Sequence, residues 1–116
     1  MGLNPGTQNP TTGNPLPTSS VPALASAPLT GQGKIATTGT AVQLSSNVLV
    51  NGVIVTALST NAAAIVIGPS GVANTLDGTG NGYVLLPGAS VSFAVTNTNT
   101  LYINGTIGDG VSFGGS

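Results

Sequence analysis

From Lys34 onward, short runs of β-branched and apolar residues alternate with clusters of Gly, Asn, Ser, Asp and Pro. That punctuation predicts a small all-β domain. Strands are expected at roughly 34–38, 41–44, 53–59, 64–68, 83–85, 90–96, 101–105 and 111–113. A spacing of ~8 to 12 residues between turn signals points to a β-sandwich or a barrel-like closure. Strict alternation places Val91, Phe93 and Val95 on one face, against Ser90, Ser92, Ala94 and Thr96 on the other. In the same way Leu101, Ile103 and Gly105 oppose Tyr102 and Asn104. Pro87-Gly88 predicts a tight reversal between two strands, and 77–82 a glycine-rich connection. Asn51-Gly52 has the chemistry of a two-residue hairpin, but a loop with the strand starting at Val53 fits its flanks better. No window of about twelve residues keeps a helical period, so helix content should be close to nil.

The first thirty-odd residues obey another rule. Six of the eight prolines, Pro5, Pro10, Pro15, Pro17, Pro22 and Pro28, fall there, and Asn-Pro recurs at 4–5, 9–10 and 14–15. Proline removes a donor and pushes the residue before it out of the helical region, so neither helix nor sheet propagates. The expected organisation is an extended arm over residues 1–33, rising ~3.1 Å per residue where polyproline-like, and a β domain over 34–116. Its later half, Val21 to Leu29, is apolar and uncharged, unlike a solvated spacer. Such a strip seeks a groove, on its own domain or on a partner. Pro15, Leu16, Pro17, Val21, Pro22, Leu24, Pro28 and Leu29 are therefore the candidate partner-binding residues, chosen for apolarity and rigidity.

Charge narrows the chemistry. Across 116 residues only Lys34, Asp77 and Asp109 are charged, and His and Cys are absent. General acid–base catalysis and glycoside cleavage both want tuned titratable groups, usually in pairs, so no enzyme and no catalytic residue is expected. Two separated aspartates make a poor metal site, one lysine cannot neutralise a nucleic-acid backbone, and no cofactor is implied. The best apolar stretch, Val53 to Ile67, is broken by Ser59-Thr60-Asn61, and the N-terminus lacks the basic and apolar regions of a signal peptide. A soluble chain without membrane contact is the expectation. Only Tyr83, Phe93, Tyr102 and Phe113 are aromatic, so the core is small, and strand edges lack the charges that usually guard them. Both features favour self-association.

Several local patterns reduce to turns. Gly68-Pro69-Ser70-Gly71 has no histidine to activate its serine, and 78–82 lacks the lysine and helix of a phosphate loop. Asn104-Gly105-Thr106 matches a glycosylation sequon at the end of a predicted strand. The amides and hydroxyls of Thr96 to Thr100 could meet a sugar, though no tryptophan offers a stacking platform.

The runs Gly52 to Asn61, Ile65 to Gly68, Gly71-Val72, Leu86 to Val91 and Leu101 to Gly105 together resemble small β-sandwich proteins of tailed bacteriophages. The likeness covers roughly Gly33 to Phe113 and leaves the arm outside. It implies a virion surface component: a capsid cement or decoration protein, or a related module of a head fibre or tail. The arm favours the capsid, where an extended strip can tie neighbouring subunits by multivalent contact. The expectation is thus a chain made in the host cytoplasm that trimerises and staples the major capsid protein of the virion. The alternative is a receptor- or glycan-binding module of a fibre or tail.

Overall fold

The structure is a computed structural model and describes residues 28–116. Within that range the chain forms eight strands: β1 (Leu29–Lys34), β2 (Val42–Gln43), β3 (Val53–Ala57), β4 (Ile65–Gly68), β5 (Tyr83–Leu85), β6 (Ser90–Phe93), β7 (Tyr102–Asn104) and β8 (Gly110–Gly115). A single 3₁₀ turn at Thr98–Thr100 is the one helical piece among the described residues.

Every pairing is antiparallel, and the strands divide into two four-stranded sheets, β1-β8-β3-β6 and β2-β7-β4-β5. β1 pairs with β8, β2 with β7, β3 with β6 and β4 with β5, as if one long hairpin had been bent and wrapped. The wrapping adds the β3–β8 and β4–β7 pairs, which makes the sandwich a jelly roll.

The alternation read from the sequence fixes the faces. Val53, Val55 and Ala57 of β3 turn inward, together with Val111 and Phe113 of β8, and meet Ile65, Ile67, Leu85 and Ile103 of the second sheet. Ile35, Leu44, Leu49 and Leu101 close the core from the connections. Apart from Ile54, the outer face of the first sheet carries mostly polar side chains. One row across it runs Gln32, Ser112, Thr56, Ser90, and the Thr56 and Ser90 hydroxyls are 2.6 Å apart.

The first strand comes earlier than the expected 34–38, at Leu29–Lys34. Its inward positions after Leu29 are Gly31 and Gly33, so it shows no apolar alternation. The missing volume is supplied by the partner strand: a Cβ on Gly31 would come 2.5 Å from the ring tip of Phe113. Val53 does open β3, preceded by Gly52 at φ +96, so the loop at 51–52 is as expected.

The outer face of the second sheet is not open to solvent. Val66 and Asn104 point away from the core, yet both are buried, because the connection after Gly68 folds back over them, with Gly82 against Val66 and the Val72 carbonyl on Asn104. Asn104 Nδ2 donates to the Val72 carbonyl at 2.9 Å and to the Gly39 carbonyl at 3.1 Å, while its Oδ1 accepts from Gly105 N at 2.8 Å. One amide thus fastens two connections to the sheet.

Candidate partner-binding surface

Of the candidate binding residues, Pro15, Leu16, Pro17, Val21, Pro22 and Leu24 lie outside the described residues. Pro28 is exposed and directly precedes β1, while Leu29 is the first residue of the strand, paired with Gly115 and packed against the core. Leu29 therefore serves its own domain. The arm leaves at an edge strand, at the end of the first sheet where Leu29, Gly115, Val53 and Phe93 share one row. We call this the entry end; Lys34, Ala57, Ser90 and Gly110 mark the other.

An open groove of about 370 Å³ lies at the entry end, lined by residues 51–54, 92–94 and 114–116. Gly52, Gly114 and Gly115 give it a bare backbone floor, and Ile54 and Phe93 supply its apolar surface. Ile54 projects outward and is 54% exposed, with Val50 at 59% and Val48 at 77% in the connection before it. A second apolar strip, Tyr83, Val84 and Leu86, follows β5, which is an edge strand. Neither strip carries a charged residue.

Several polar groups of the 96–100 segment are engaged inside the molecule. Asn97 Oδ1 accepts from Asn47 N at 3.0 Å and Asn99 N at 2.9 Å, capping the 3₁₀ turn and holding the 45–47 connection. Asn47 Nδ2 reaches Ser45 Oγ and Thr98 Oγ1, and the fully buried Thr98 hydroxyl donates to the Ser45 carbonyl. Thr100 Oγ1 turns back to Asn97 O at 2.9 Å. Sequence composition advertised this segment as a binding loop; its hydrogen bonds make it a clasp. The sequon asparagine, Asn104, is buried with both polar atoms engaged, so an oligosaccharide could be attached only by opening the 69–82 connection.

The two carboxylates serve separate loops. Asp109 is buried, and its oxygens accept from Ala62 N at 2.8 Å and Ala63 N at 3.1 Å. Asn61 beside it binds both backbone groups of Gly110, accepting from its N at 2.8 Å and donating to its O at 2.9 Å. Among the described residues no three His, Cys, Asp or Glu side chains gather at one point. No helix among them is long and apolar enough to cross a membrane.

Asp77 is fully exposed and accepts from the Thr79 hydroxyl at 2.6 Å and the Thr79 N at 3.0 Å. These bonds, the hydroxyl first, hold its pKa below the ordinary 3.8. A depressed native pKa means that the ionised contact supports the loop above that ordinary value and is lost as pH falls through the native one. An NMR titration of the Asp77 carboxyl should show the low midpoint, and Thr79→Val should return it upward. An unchanged midpoint in the variant would remove the hydroxyl from the explanation.

Compared with family models, curated proteins and solved structures, the chain matches none of them.

Proposed function

We propose that this chain is a non-enzymatic structural protein of a tailed-phage virion. As a capsid cement or decoration protein, its jelly roll associates with copies of itself, as a homotrimer, and its N-terminal arm crosses onto the major capsid protein. The observation that carries this reading is the arm's point of departure. Pro28 has no N–H to extend the ladder, and the strand it precedes lies at the edge of the first sheet. An arm that precedes this strand is offered to a partner from the edge of the sheet. The jelly roll is used in viral capsid proteins as well as in lectins and cupins, an analogy of fold that leaves the choice to the surfaces. Here Asn97, Thr98 and Thr100 of the Asn- and Thr-rich segment are engaged internally, while the exposed strips are apolar and uncharged. That balance favours protein contact over glycan contact.

An interface built from apolar and backbone contacts has little charge for salt to screen. Full-length protein should therefore co-sediment with phage capsids equally at low and high NaCl, and a chain lacking residues 1–27 should stay in the supernatant. Release by moderate salt would refute the mechanism. Failure of both forms to sediment would transfer the reading to a receptor-binding module of a fibre or tail.

A further inference from the structure

We propose that the entry-end groove is the seat of the same chain's segment Val21–Ala27, with Leu24 resting against Ile54 beside Ser92. The inference goes beyond the capsid reading, because it concerns the isolated protein. It leaves Pro15 to Pro17 as the portion of the arm that reaches outward.

The exit point comes first. The described chain begins at Pro28, one residue before Leu29 pairs with Gly115, and Gly114 and Gly115 are the near floor of the groove. The segment therefore reaches the rim as soon as it leaves the sheet. The residue before a proline is biased toward extended backbone, which suits a strip and not a coil.

Reach comes next. From β1 across β8 and β3 to β6 is three strand spacings, about 14 Å. Four residues of extended chain, from Pro28 back to Leu24, cover about 12 Å. Leu24 then arrives between β3 and β6, where Ile54 stands beside Ser92. The intervening residues, Ala25, Ser26 and Ala27, are small enough to pass low over Gly114 and Gly115.

The chemistry agrees with the geometry. Neither the segment nor the groove's lining has a charged side chain, so no ionic side chain loses its hydration on contact. Covering Ile54 would remove from water an apolar side chain that the sandwich leaves 54% exposed. A seated segment would also fix the direction in which the first twenty residues point, lowering the ordering cost when they meet a partner.

Because the chain has no cysteine, a full-length double variant tests this without background. Ala23→Cys with Ser92→Cys puts one thiol beside Leu24 and the other at the groove. Ala23→Cys with Ser59→Cys puts the second thiol at the far end instead. Under dilute oxidation the groove pair should close an intramolecular disulfide roughly tenfold faster or more than the far pair. Adding Ile54→Asp, an outward change that leaves the core intact, should abolish that advantage. Equal rates for the two pairs, or crosslinked dimers in place of a closed monomer, would overturn the proposal; dimers would assign the groove to a second copy's arm. No capsid enters the assay, so its failure is distinct from failure of the cement reading.

Discussion

Phe113→Ala should cost about 3–5 kcal/mol of folding stability, read as a drop in urea midpoint at unchanged slope. Against a typical domain stability of ~5–15 kcal/mol, that leaves a marginal fold. The ring is 4% exposed and sits on β8, between β1 and β3. Its row reads Gly31, Phe113, Val55, Val91, so one large side chain fills the space of two positions. Alanine there would open a cavity that Gly31 cannot help to close. The reverse change tests the same contact: Gly31→Ala should cost about 1–3 kcal/mol by overpacking the ring. In a Phe113→Leu background, which lacks the ring tip, the cost of Gly31→Ala should shrink. Equal costs in both backgrounds would show that ring and glycine are not coupled.

Asp109→Ala should lose about 2–3 kcal/mol, because two backbone N–H groups give up a charged acceptor at once. Asp109→Asn should lose about 1–2 kcal/mol, since its amide can accept from one of them but turns N–H₂ toward the other. The effect has an address. Amide hydrogen exchange at Ala62 and Ala63 should accelerate in both variants, most in alanine, while the β3–β8 ladder keeps its protection relative to the global stability. Unchanged exchange at Ala62 and Ala63 would remove Asp109 from this role.

Much of the sandwich is legible in the residues. Tyr83–Leu85 forms a strand with the expected bounds, and Val91 and Phe93 face the core as their alternation requires. Ala89 N donates to Leu86 O at 2.8 Å, with Gly88 at φ +86, so Pro87-Gly88 is the tight reversal that its chemistry implies. What escaped the sequence is what depends on a distant partner. β1 was hidden because its inward volume belongs to Phe113. Asn104 does point away from the core, but its burial comes from Val72, and a lone valine in a glycine-rich connection was the only available cue. Asp109 reads locally as a turn residue before glycine, whereas its side chain caps a loop 47 residues away. The candidate surface was the least legible part: Leu29, counted with the arm, belongs to the sheet, and the groove arises from three strands meeting at one end.

The pairing of β1 with β8 also sets a timetable. Leu29 bonds across to Gly115, so the first described strand cannot find its place until the last has been made. Pairings this remote in sequence carry a heavy loop-closure cost before they return anything, and domains dominated by them fold in milliseconds to seconds. β4 and β5, joined through the 69–82 connection, can form early; β1 must close the sheet last. During translation β1 therefore emerges well before its partner β8 and must wait for it. A contact that catches β1 before β8 is made would thus act on a chain that has not finished folding.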